Sequence, residues 1–211
     1  MKQLTLSKSR WYPAAGILVP SVTTVLQLRF PGPVAEDEET AALWAALRER
    51  GTNIHSLIAK GSVDAETWEQ LPHDVQNGLF AWQRFLNKFR YRSLGSEVAM
   101  VSARMGYGGT LDSYGRIHEG IVIIDWKSGR LWPDYAELQL GGYFGLYTET
   151  FWRRKEPYGA IAVRLDCKTG NYEAMSRSRV EMIRAHQEFM GEVHRFEEER
   201  GNEPDYRTIG I

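Results

Sequence analysis

The chain has 211 residues, 43% of them apolar and 25% charged, with a net charge of −1 and a single cysteine. This is enough chain for one compact domain with a real core, and no apolar run nears the ~20 residues of a membrane helix, which excludes a helical membrane protein. Cys167 alone excludes a disulfide framework and makes a reducing, cytoplasmic setting the default, while the balanced charge excludes a uniformly basic chain but not a local basic groove.

Residues 1–10 are polar and basic without an apolar h-region, so no secretion signal is expected. Ser21 ahead of Val22, Val25, Leu26 and Leu28 reads as the N-cap of a short helix, which Pro31 and Pro33 break. An acidic loop from Ala35 to Glu39 leads into a longer helix. There Leu43, Trp44, Leu47, Ile54, Leu57 and Ile58 keep a helical period through Gly51. Leu79, Trp82, Phe85, Leu86 and Phe89 predict another helix from about Val75 to Tyr91, beside a basic cluster of Arg84, Lys88, Arg90 and Arg92. From Leu94 the pattern turns to strands, at Glu97 to Ser102, at Gly108 to Ser113 and at the β-branched run Ile121-Val122-Ile123-Ile124. That last run suits a strand buried on both faces, and Ser113-Tyr114-Gly115-Arg116 supplies turn chemistry before it. A helix over Tyr135 to Trp152 is followed by the basic cluster Arg153-Arg154-Lys155 and a strand near Ala160 to Leu165. Lys168-Thr169-Gly170-Asn171 reads as a hairpin turn into a strand at Tyr172 to Met175, and a final helix runs from about Ser178 to Glu199. The fold class expected is α/β, a central mixed β-sheet flanked by helices with a helical N-terminal portion. One domain should span 1–211: mainly helical over 1–93, β-rich over 94–176, and a C-terminal helix and tail over 177–211.

Asp112 should end one strand of a hairpin and Asp125 the next, which brings two carboxylates together where they repel unless protonated or bridged by a cation. Asp125 and Lys127, two apart on a strand, share a face. Carboxylate oxygens suit Mg²⁺ or Mn²⁺, and an ammonium beside them suits the charge that develops when a phosphodiester is hydrolysed. An isolated Asp-x-Lys triplet is a weak signal, since most are solvated strand ends. The upstream Gly109-Thr110-Leu111-Asp112 and the buried isoleucine run strengthen it.

Gly109-Thr110-Leu111-Asp112 and Ile123-Ile124-Asp125-Trp126-Lys127-Ser128-Gly129, followed by Gln139-Leu140-Gly141-Gly142-Tyr143 and preceded by Pro20-Ser21-Val22-Thr23-Thr24 and Arg50-Gly51-Thr52-Asn53-Ile54-His55, resemble the PD-(D/E)xK nuclease superfamily. More narrowly they are similar to its RecB-like exonuclease branch, which includes phage nucleases and mitochondrial genome-maintenance exonucleases. The resemblance implies a restriction-endonuclease-like core and a metal held by His55, Asp112, Asp125 and the backbone carbonyl of Trp126. It gives Lys127 the attacking water to orient, with Gln139 and Tyr143 supporting Lys127 and touching the nucleic-acid backbone. Glu97 matches an acidic position on the first core strand, as a metal or water contact. DNA, single-stranded or as duplex ends, is the implied partner, alongside recombination or replication proteins. Some relatives enclose the core with a four-cysteine iron–sulfur cluster, which Cys167 alone cannot hold, and the chain lacks a Walker-type phosphate loop.

The residues leave other readings open. One is a nucleic-acid-binding module of the same fold without the chemistry; another is a site-specific endonuclease; a third is a carboxylate-pair hydrolase such as a glycosidase. Trp11, Tyr12, Tyr107, Tyr114 and Trp132 suit either stacking on unpaired bases or packing.

Overall fold

The β-branched run at 121–124 lies at the centre of the main sheet. A computed structural model describes residues 4–6, 9–32, 34–151 and 156–200. In chain order its elements are β1 (Leu4–Leu6), β2 (Ser9–Ala14), β3 (Ile17–Pro20), α1 (Val22–Leu26), α2 (Glu38–Lys60), α3 (Ala65–Gln70) and α4 (His73–Phe89). These are followed by β4 (Arg92–Ser102), β5 (Tyr107–Arg116), β6 (Ile121–Lys127), α5 (Pro133–Thr150), β7 (Gly159–Leu165), β8 (Tyr172–Ser178) and α6 (Arg179–Arg200). The main sheet has five strands in sequence order, β4 to β8; β6 and β7 run parallel and every other neighbour antiparallel. The parallel pair requires a crossover, which α5 provides.

Alternation along β6 and β7 divides the core. Val122, Ile124 and Trp126 face a cluster built with α2 and α4, together with Ile161, Val163 and Leu165. Ile123, Ala160 and Ala162 face the opposite cluster, with α1, α5 and α6. The mixed sheet flanked by helices is therefore as the sequence predicts.

Three local expectations change. The N-terminal portion does not begin helical: β1, β2 and β3 form an antiparallel meander. Its tight turn places Ala15 (φ 48°) and Gly16 (φ 86°) in the left-handed region. Alanine is not a residue that turn chemistry favours there, so the hairpin is hidden from a reading by composition. Short α3 also lacks an apolar period and was not expected. Second, Ser113 to Arg116 is not a turn but the continuation of β5, paired with Ile121 to Ile124. Gly115 serves close packing, because a side chain there would run into the carbonyl of Arg92 and the ring of Tyr91. The turn lies beyond it, where Ile117 N–H donates to Gly120 at 2.9 Å and Gly120 adopts φ 154°. Third, Asp112 does not end a strand but sits inside β5. Trp152 and the cluster Arg153, Arg154 and Lys155 lie outside the described residues.

The sheet opens at Asp112. The β5–β6 ladder ends at Ser113 opposite Ile124, so β5 leaves β6 just where Asp112 and Asp125 would face each other. Side-chain alternation also breaks there. Ser113 hydrogen-bonds Tyr91 at 2.6 Å on the α4 side, whereas Leu111, two positions away, packs on the α5 side. Across the β4–β5 pair, Ser96 meets Ser113 and Val98 meets Leu111, which places Glu97 opposite Asp112. Glu97 has φ 50°, a left-handed conformation that costs a non-glycine residue of the order of 1 kcal/mol or more. Distortions of this kind re-aim side chains and interrupt pairing.

Candidate functional site

The opening is a cleft of about 980 Å³, floored by β5, β6 and α5 and lined by His55, Glu97, Asp112, Asp125, Lys127, Gln139 and Tyr143. The structure therefore gathers the side chains expected at the site from five separate elements. Trp126 is expected to contribute only its backbone. Its indole lies on the opposite face of β6, edge-on to Phe85 and Tyr91. Its backbone still reaches the site, since Trp126 N–H donates to Asp112 Oδ2 at 2.8 Å. In a strand the N–H and C=O of one residue point to the same edge, so the Trp126 carbonyl also faces the gap beside Asp112.

Two sub-clusters make up the floor. In the first, donor atoms of His55, Glu97 and Asp112 all lie within 4.8 Å of one another, with His55 Nδ1 at 3.4 Å from Asp112 Oδ1. In the second, Lys127 Nζ contacts Asp125 Oδ2 at 2.7 Å and donates to Gln139 Oε1 at 2.6 Å. Asp125, which the sequence reading grouped with the metal donors, is thus turned toward Lys127, and Glu97 takes the closer place beside His55 and Asp112. Tyr143, one turn along α5 from Gln139, is 5% exposed and packs against Gly109.

The electrostatics follow from this crowding. Burial pushes the Asp125 carboxyl above the usual range, Lys127 opposing and Asp112 reinforcing the rise. Burial works against the Lys127 ammonium, but Asp125, Tyr135 and Asp112 outweigh it and hold the lysine above its ordinary value. Burial likewise disfavours the His55 imidazolium, yet Asp112, Asp125 and Glu97 raise it overall. Burial and the Asp112 charge raise Glu97. Carboxylates crowded together beside an imidazole are what a divalent cation relieves. One nitrogen and several hard oxygens fit Mg²⁺ or Mn²⁺.

Helix α2 is fixed against the floor by close packing. A Cβ on Gly51 would lie 2.8 Å from Ser128 Oγ. Arg50 reaches past it to Ser128 O at 3.1 Å and to Asp74 at 3.2 Å. His55 follows one turn later. On the other wall, Ser21 caps α1 by accepting from Thr24 N–H at 3.0 Å. Thr24 Oγ1 in turn accepts from Arg10 N–H at 3.0 Å and donates to Arg10 O at 3.2 Å, which holds β2 against the cleft.

Sequence reasoning missed the lining residues Arg10, Arg48, Lys60 and Tyr135, and gave no separate role to Thr23, Thr110 and Ser128, which line the cleft from within the motif pieces. Tyr135 was legible, as it precedes Gln139 and Tyr143 by one and two helical turns, and Lys127 Nζ sits 5.7 Å from its ring centre. No local pattern marks Arg10. Trp11, Tyr12, Tyr107 and Tyr114 are buried packing residues, whereas Trp132 is 56% exposed.

No protein-family model matches this sequence, and no curated protein matches it. Among solved structures, the chain is similar to the alkaline exonuclease LHK-Exo from Laribacter hongkongensis, at 12% identity and a TM-score of 0.33, covering 86% of this chain and 92% of that one. LHK-Exo in complex with dAMP gives 13% identity at the same TM-score and coverage. The structure of SSO0001 gives 12% identity and a TM-score of 0.29, covering 81% of this chain and 83% of that one.

Proposed function

We propose that this protein is a Mg²⁺- or Mn²⁺-dependent deoxyribonuclease of the RecB-like PD-(D/E)xK kind, an exonuclease that hydrolyses phosphodiester bonds during DNA recombination, repair or replication in the cytoplasm. One observation carries the reading: a His55–Glu97–Asp112 donor cluster and an Asp125–Lys127–Gln139 cluster share one open cleft. The five motif pieces that resemble the branch fall on the elements that build it.

His55, Asp112 and the Trp126 carbonyl, with Glu97 or Asp125 completing the set, would hold the ion. When bound, it supplies Lewis-acid polarisation of the phosphate and a lowered pKa for water. The remaining work belongs to the chain. Trp126 N–H and His55 orient the Asp112 carboxylate. Asp125 and Gln139 pin the Lys127 ammonium, so a fixed positive charge waits where the attacked phosphate gains negative charge, at no reorganisation cost. A glycosidase works with a bare acid and base carboxyl pair; the Lys127 ammonium on Asp125 and the His55 imidazole beside Asp112 and Glu97 favour a metal instead.

The test is purified protein with Mg²⁺, Mn²⁺, Ca²⁺ or EDTA on end-labelled linear and closed circular DNA and on RNA. Mg²⁺ and Mn²⁺ should support cutting of linear DNA, Ca²⁺ binding only, and closed circles should resist. Cutting of closed circles would assign an endonuclease. Binding without cutting in every metal would assign a binding module.

A further inference from the structure

The cleft walls carry features that the chemistry leaves unused. Arg10 on β2 and Arg48 and Lys60 on α2 are exposed, line the cleft, and form no ion pair among the described residues. Arg48 lies seven residues before His55 and Lys60 five after it. At ~1.5 Å per residue these cations sit about 10 Å and about 8 Å along the helix axis on either side of the donor cluster. Cations on both sides of a hydrolytic centre suit a phosphate chain that runs through it.

The second feature lies where β6 gives way to α5. Trp132 is the N-cap of α5, with extended backbone, and stands three residues before Tyr135, which lines the cleft. Trp132 is 56% exposed, although nearly all the other large aromatics are buried or half-buried. Arg130 holds its guanidinium 3.9 Å from the indole centre. The guanidinium stacks over the indole and steadies it at the surface, at the N-terminal end of the helix whose Tyr135 lines the cleft. An exposed indole of that kind gains little from water and much from a flat aromatic partner.

We propose that Trp132, steadied by Arg130, is a base-stacking platform, and that the cleft engages an unpaired strand whose phosphates follow Arg48 and Lys60 along α2. The substrate class is therefore single-stranded DNA, or the unpaired end of a duplex, rather than a blunt duplex. Bases inside a duplex are already stacked and offer no face to the indole, whereas an unpaired strand offers one at each nucleotide. The proposal rests on the nuclease reading for its direction through the cleft, but stacking itself is a binding property and is measurable without cleavage.

The experiment measures affinity by fluorescence anisotropy in Ca²⁺ for an unpaired oligonucleotide, the blunt duplex of the same sequence, and unpaired oligonucleotides carrying one abasic position each. Wild type should favour the unpaired strand about ten-fold or more, and one or two abasic positions should erase about that factor. Trp132→Ala should lose about ten-fold on the unpaired strand, change little on the duplex, and become indifferent to the abasic positions. Trp132→Phe, which keeps a ring, should retain most of the affinity. Arg48→Ala and Lys60→Ala should weaken all substrates alike and flatten the salt dependence. Equal or tighter binding of the blunt duplex by wild type, or no loss of unpaired-strand affinity in Trp132→Ala, overturns the platform. The abasic series uses wild-type protein, so it decides the matter even where a Trp132 variant misfolds. Cleavage in Mg²⁺ is scored separately. Trp132-dependent binding without cutting would overturn the nuclease reading and keep the platform; cutting of blunt duplex unaffected by Trp132→Ala would do the reverse.

Discussion

Lys127 has neighbours on three sides: Asp125 Oδ2 at 2.7 Å, Gln139 Oε1 at 2.6 Å and the Tyr135 ring at 5.7 Å. A side chain held this way loses little freedom when the phosphate arrives, so its removal should act on rate rather than on folding. Lys127→Ala and Asp125→Asn should each lower cleavage by about 10²- to 10³-fold, the scale of losing fixed transition-state charge, with circular dichroism unchanged. The Asp125 carboxyl left by Lys127→Ala takes up a proton instead of staying as a buried charge, which limits the cost in stability. Near-normal cleavage by either variant would remove these residues from the mechanism. His55 predicts a different signature, because imidazole favours Mn²⁺ over Mg²⁺ relative to an all-oxygen set. His55→Ala should raise the metal concentration for half-maximal activity by about ten- to a hundred-fold and shrink the advantage of Mn²⁺. A titration showing an unchanged Mn²⁺ to Mg²⁺ ratio would take His55 out of the donor set.

Among elements, the contact of α5 with α6 sets where Gln139 and Tyr143 stand. A Cβ on Gly141 would lie 2.6 Å from the backbone carbonyl carbon and oxygen of Ala185, and one on Gly142 about 3.0 Å from Val22. The paired glycines between Gln139 and Tyr143 are thus explained by helix approach. Gly141→Ala meets backbone, which cannot rotate away, so it should destabilise by about 1–3 kcal/mol; an unchanged thermal midpoint would contradict the packing. His186, on α6 beside Gly145, gives this contact a pH dependence. Burial lowers its pKa below the ordinary imidazole value, so between the two values the unfolded chain binds a proton that the folded chain does not. Its contribution to stability is complete above the ordinary value of about 6.5 and declines as pH falls through it toward the folded value. His186→Gln should flatten the fall of the urea midpoint over that window. His55, raised rather than lowered, acts with the opposite sign, so the comparison of variant with wild type is the informative one.

At the scale of the molecule, a net charge of −1 coexists with a cleft whose floor is acidic and whose walls bear Arg10, Arg48 and Lys60. Such a surface should grip phosphates and read no bases. Affinity in Ca²⁺ should fall steadily as salt rises and differ little among unrelated sequences of equal length. A short preferred sequence whose advantage survives high salt would instead identify a site-specific endonuclease. No described helix is long and apolar enough to cross a membrane.

The sequence by itself determined the central strand and the shared face of Asp125 and Lys127. A β-branched run and a two-residue spacing are local facts, and a buried strand expresses them directly. It determined most helices for the same reason, through apolar period and caps such as Ser21, and it placed Gln139 and Tyr143 on one face. Only the tertiary structure decided that Ser113 to Arg116 continues a strand, because the glycine there answers to Arg92 and Tyr91 across the sheet. It also decided the N-terminal meander, whose turn uses an alanine. Above all it decided that β5 leaves β6 at Asp112, that Glu97 bends into the gap beside His55, and that Arg10 returns to a cleft begun a hundred residues later. Those placements depend on where one strand stops pairing with another and on how closely helices approach the sheet. Such contacts join residues far apart in the chain, and no local pattern records them.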